Sequence, residues 1–134
     1  MNVAWLLSAL GLLAGAAIGA ALVARPLLVR RFIRTETVPV EFRRVYGAAL
    51  LSLHAAALLF LAANWGYQDA LFGAINAGAA AAVGATWMGA AAGRLFALWR
   101  ANRLSHWREC LFEAALGVLI AAPWFYWLAV ALAG

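Results

Sequence analysis

The chain contains no lysine, one cysteine and five acidic residues in 134 positions. Charged residues amount to 11% of the sequence, less than half of the roughly 25% usual in soluble domains. That scarcity excludes intrinsic disorder, which needs a polar, charge-rich chain. It also excludes an ordinary soluble domain. Hydrophobic residues fill 68% of the positions, and exposing so much apolar surface to water would drive aggregation. The lone cysteine, Cys110, allows no intrachain disulfide. Metal-ligand spacings of the H-x-x-x-H or C-x-x-C kind are missing, as are G-x-S-x-G, P-loop and dinucleotide fingerprints. No metal and no cofactor is therefore predicted.

What the chain does have is alanine, glycine and arginine. Its ten basic residues are all arginines and give a net charge of +5. Every one lies in the window Arg25 to Arg44 or Arg94 to Arg108. A nucleic-acid binder would spread them over a solvated face; here they read as loop charge on a membrane protein, and no nucleic-acid partner is expected. The uncharged stretches are Met1–Ala24, Val45–Gln68, Ala70–Gly93 and Ala114–Gly134. About 20 helical residues cross a hydrocarbon core of about 30 Å. Helices are required because unpaired backbone cannot be satisfied in lipid, and the alternation of a membrane β-barrel is absent. The predicted fold is an all-α membrane protein, one domain over 1–134. Its four transmembrane helices, near 3–24, 45–64, 71–94 and 109–132, would form a compact bundle.

Arginine placement also predicts an orientation. The first apolar run has its arginines after it, not before it, so it reads as a retained helix and not a signal peptide. The connection between helices two and three, Asn64 to Asp69, carries one acid and no base. By the positive-inside rule both basic loops face the cytoplasm and both termini face the periplasm. Trp5, Trp65, Tyr67 and Trp127 would then mark the outer interface, with Trp99 and Trp107 at the inner one. Leu27, Leu28, Phe32 and Ile33 interleave with Arg30, Arg31 and Arg34. That pattern suits either an amphipathic segment on anionic headgroups or a helix end with snorkelling arginines.

Two stripes of small residues point to close helix packing. Helix one carries Gly11, Gly15 and Gly19; helix three carries Gly73, Ala77, Ala81, Ala85, Gly89 and Gly93. They are expected either to meet inside the monomer or to join the protein to another chain. Ionisable groups inside a membrane are costly, so each is a candidate for function. Depth counting sets His54 beside Pro123 and Trp124, where the missing Pro123 N–H frees the Leu119 carbonyl. His54, Trp124 and Tyr126 would form an intramembrane polar site, or His54 would be a structural group satisfied by a neighbouring helix. A second constellation, Arg43, Tyr46, Arg94, Glu109 and Glu113, falls at the cytoplasmic helix ends, with Arg94 and Glu113 as natural partners. It reads either as an Arg–Glu–Arg clamp or as a headgroup or acid–base site. Haem ligation by two histidines is not expected, since His106 lies at the interface. A multidrug exporter is not expected either, since helix one has no carboxylate.

The stretch Arg43–Arg44–Val45–Tyr46–Gly47–Ala48, followed by Gly93–Arg94 and Phe112–Glu113, resembles an uncharacterised family of small bacterial four-helix inner-membrane proteins. In that family an R-x-x-Y-G-G-like start to helix two, a G-R end to helix three and an early glutamate in helix four recur; the second glycine is Ala48 here. The resemblance implies the fold and an inner-membrane address and supplies no activity. The function expected is that of a non-catalytic accessory or assembly subunit, or a homo-oligomer. Its partners would be membrane lipids, with anionic headgroups at the arginine loops, and other membrane chains or itself. The alternative is a binder of, or enzyme on, a quinone, isoprenoid or lipid at the His54 pocket.

Overall fold

The computed structural model describes residues 3–26, 39–64, 70–102 and 107–133. The described residues are helical apart from short turns, with no strand among them. The helices are α1 (Val3–Ala24), α2 (Val40–Ala63), α3 (Ala70–Arg100), α4 (Trp107–Ile120) and α5 (Ala122–Ala133). Three stretches, Val3–Ala24, Val40–Ala63 and Gly73–Arg100, are long and apolar enough to cross a membrane. The pair α4 and α5 makes a fourth if the two count as one bent span. Exposed Leu10, Leu13, Leu59, Phe96, Leu111 and Leu132 cover the outside of these helices, as suits a multi-pass membrane protein whose solvent is lipid. The amphipathic stretch at 27–34 and the connection at 65–69 lie outside the described residues.

Helix ends differ from the sequence expectation where charge alone had set them. Helix α2 starts at Val40, directly after Pro39, and the Pro39 carbonyl accepts from the Arg43 amide. A helix can carry charged residues beyond the lipid boundary, so Glu41, Arg43 and Arg44 belong to it. For the same reason α3 runs past Arg94 to Arg100. Its 31 residues span about 46 Å, well beyond a hydrocarbon core of about 30 Å. It stops at Asn102, whose left-handed backbone (φ 52°) is a conformation asparagine tolerates.

The continuous helix expected over 109–132 is in fact broken. The α4 and α5 axes differ by 56°, and the cause is Pro123. With no amide hydrogen it leaves the Leu119 carbonyl without its helical partner. The Trp124 and Phe125 amides turn back to the Ala121 carbonyl, at 3.0 and 3.3 Å. That leaves the Ile120 carbonyl to the Ser8 hydroxyl of α1, which donates to it at 2.7 Å.

Packing is pairwise. Helix α1 lies on α2 and α3 lies on α4, while α1 touches α4 and α5 and so joins the pairs. The core comprises Leu12, Leu22, Leu50, Leu61, Val83, Trp87, Leu116 and Ile120. Each pair crosses where glycine meets glycine. A Cβ on Gly19 would sit 2.8 Å from the Gly47 carbonyl oxygen, and one on Gly117 would sit 2.7 Å from that of Gly84. Such contact between backbones supplies the van der Waals attraction that lipid cannot compete away.

The two small-residue stripes do not meet. The α1 stripe packs along its length, Gly11 against Ile120, Gly15 against His54 and Gly19 against Gly47 and Leu51. On α3 only Ala77 of the expected stripe is buried, and a Cβ on Gly73, Gly89 or Gly93 would meet nothing within 4 Å. Ala81 is half-buried and Ala85 exposed. The face of α3 that turns inward holds Asn76, Ala80, Val83, Gly84, Trp87 and Ala91. Trp87 and Gly84 set that rotation, one reaching His54 and the other Gly117.

Candidate functional site

His54 occupies the buried face of α2, in line with Arg43, Gly47, Leu50 and Leu61. It is wholly buried, and its ring lies flat over Gly15 of α1, where any side chain would overlap it. Its partners differ from those expected. Nδ1 is 2.7 Å from the Leu50 carbonyl one turn back, and the Trp87 indole donates to Nε2 at 2.8 Å. An indole N–H can only donate. Nε2 is therefore the acceptor, Nδ1 carries the proton, and the imidazole is neutral. The rings meet edge to face at 69°. Three helices thus converge on one imidazole whose two nitrogens are both used.

The aromatic residues expected around His54 are elsewhere. Trp124 stacks on Trp127 within α5, and Tyr126 is exposed. The bend at Ala121 carries this aromatic run away from α2, so no His54–Trp124–Tyr126 pocket forms. Helix four is met by Ser8 instead of His54. Ser8 and Trp87 were not singled out in the sequence, nor was Asn76, which is buried beside Ser8 and Leu61. The Asn76 Oδ1 finds no hydrogen-bond partner among the described residues. Two signals pointed to them: a polar residue inside an apolar run, for Ser8 and Asn76, and the largest side chain in helix three, for Trp87.

The second constellation gathers around Arg94. Its Nε and Nη2 donate to the two oxygens of Glu113, at 3.0 and 2.7 Å. This is the bidentate fork that makes guanidinium–carboxylate pairs strong. Nη1 lies 3.5 Å from Glu109 Oε2. Glu109 and Glu113 stand one turn apart on α4, so one arginine clamps two turns of that helix to α3. The Glu113 side chain is 6% exposed, against 27% for Arg94 and 23% for Glu109. Arg94 is thus held between two glutamates. Arg43 is buried on α2, in line with Gly47, Leu50 and His54. Tyr46 is half-exposed and within electrostatic reach of Glu113 and Arg94.

Between these groups α2 and α3 part. Tyr46, Ala49 and Leu53 on one side and Thr86, Trp87 and Ala90 on the other line a cleft of about 270 Å³, open along its length. Trp87 forms its inner wall and His54 lies behind that wall. Among the described residues no cluster of three or more histidine, cysteine or acidic side chains could hold a metal ion. Compared with protein families, with curated proteins and with solved structures, the chain matches none.

Proposed function

We propose that the chain is a non-catalytic assembly subunit of the bacterial cytoplasmic membrane, with four crossings and both ends on the periplasmic side. The α4–α5 pair forms the fourth crossing in this reading. One observation carries it: α3 has a second small-residue face, turned directly away from the core. Gly78, Ala82, Ala85, Gly89 and Gly93 share this face at helical spacing. All are exposed or half-exposed, and nothing lies within 4 Å of a Cβ on any of its glycines. Between membrane helices, such a surface favours another helix over lipid because backbones can approach. Arginine confined to the connections and the helix ends that flank them, 25–44 and 94–108, supports the orientation.

The test is disulfide trapping in native membranes. Gly89→Cys should cross-link to a second copy or to another membrane chain, while Leu132→Cys, on exposed α5, should not. Native Cys110 is buried and does not compete. A Gly89→Cys protein that stays monomeric throughout counts against assembly. A second reading, a binder of a lipophilic molecule, is favoured by the cleft between α2 and α3, which takes the place of the pocket expected at His54.

A further inference from the structure

We infer that the cleft between α2 and α3 binds one phospholipid with a primary-amine headgroup, its head at Glu109 and its acyl chain along Trp87 and Ala90. This rests on the second reading above and names its ligand. The cleft is built like an amphiphile. Along α3, Trp87 and Ala90 line it, and the next residue on that row, Arg94, is held by Glu109 and Glu113. Along α2 the lining runs from Leu53 through Ala49 to Tyr46, which stands at the same end as the ion cluster. One end is therefore apolar and the other charged. The volume of about 270 Å³ falls below the roughly 300–1,000 Å³ of pockets that enclose whole ligands. An open cleft of that size suits one chain laid lengthwise, with the rest of the lipid in the bilayer.

Charge selects the head. Glu113 occupies two guanidinium nitrogens of Arg94 and Glu109 lies beside the third. Among the described residues, the ionisable groups in electrostatic reach of Arg94 are Glu113, Glu109, the Cys110 thiol and the neutral Tyr46 phenol. Two carboxylates against one guanidinium leave a negative surplus, and it emerges at Glu109, the more exposed of the two acids. An anionic head would have to displace a carboxylate from Arg94. A primary ammonium brings three donors to the surplus, whereas a trimethylated ammonium brings none. Ethanolamine is the phospholipid head that fits.

The full chain, purified in mild detergent, is offered phosphatidylethanolamine, phosphatidylglycerol and phosphatidylcholine with identical acyl chains, and bound lipid is counted by native mass spectrometry. The ethanolamine lipid should be retained about tenfold more tightly than either competitor, the worth of one charge-assisted hydrogen bond. Glu109→Gln should lower retention of the ethanolamine lipid to that of the other two and leave those two unchanged. Ala49→Phe, which fills the cleft, should reduce retention of all three. Both variants keep the Arg94–Glu113 pair. Equal or stronger retention of the glycerol or choline lipid by the native chain overturns the inference, as does a preference that survives Glu109→Gln. Lipid displaced by Ala49→Phe but retained without head preference sinks the inference and leaves the lipophilic reading standing. Lipid retained in no case sinks both.

Discussion

Replacing Gly15 by alanine tests whether His54 organises the three helices around it. A Cβ at this position would overlap His54 Cδ2 and Nε2 and lie 2.9 Å from Cε1. The ring has nowhere to yield, because Nδ1 is bound to its own helix and Nε2 faces the Trp87 indole. Either α1 moves off α2, undoing the nearby Gly19–Gly47 contact, or the imidazole turns and leaves the indole N–H buried without a partner. Overpacking a fitted core costs about 1–3 kcal/mol, and an orphaned buried donor costs about 1–3 kcal/mol as well. By either route Gly15→Ala should destabilise by about 1–3 kcal/mol, read from reversible unfolding on titrating mild-detergent micelles with dodecyl sulfate. The double variant Gly15→Ala/His54→Ala separates this from a general intolerance of Gly15. Removing the ring makes room for the new methyl, so the two costs should fall short of their sum by about 1 kcal/mol or more. A loss below about 0.5 kcal/mol for Gly15→Ala, or strict additivity in the double variant, refutes the contact as described.

The remaining predictions concern the ion cluster and the helix break. Arg94→Ala should cost about 3–5 kcal/mol by leaving Glu113 buried without its cation, whereas Arg94→Ala/Glu113→Leu should recover much of that loss in the same titration. If the single and double variants are equally unstable, the pair is not the clamp. Ser8→Ala should cost about 0.5–2 kcal/mol, since interhelical hydrogen bonds in membranes have this range, and should speed amide exchange near Ile120. Unchanged exchange argues against the bond. Pro123→Ala restores the missing donor, so spin labels at Arg108 and Leu132 should move apart by up to about 4 Å as the bend opens. An unchanged distance shows that tertiary packing alone holds the bend. Alkaline phosphatase fused to either end should be active in cells if both termini are periplasmic, and inactivity at either end rejects the proposed orientation.

Much of the helical framework was legible because lipid removes alternatives: a long uncharged run has no other way to satisfy its backbone. Boundaries were less legible, because the rule that locates them reads charge, and helices such as α3 carry charge past the lipid. Arg94 and Glu113 could be paired from the sequence, as each ends an apolar run near the same interface and each is costly alone. Rotation about the helix axis was not legible. The four-residue ladder on α3 offered several small faces in an alanine-rich helix, and periodicity cannot choose among them. Only Trp87 and Gly84, by meeting His54 and Gly117, fix which face turns inward. Depth counting misled at His54 for a related reason. It treated the last apolar run as straight, and a 56° bend moves its aromatic residues aside while handing its spare carbonyl to Ser8.

The Ser8–Ile120 bond joins positions 112 residues apart, and this bears on the order in which the protein matures. Ser8 is made 112 residues ahead of its acceptor, which is not synthesised until α2 and α3 have been. Until then the hydroxyl must fall back on its own helix, and the groove along Gly11 that receives Ile120 stays filled with lipid. The α1–α2 hairpin can close early through Gly19 and Gly47, but its remaining face is completed only by the final segment. A chain cut short before Ile120 therefore leaves α1 without its closing contact, open to capture by quality-control proteases.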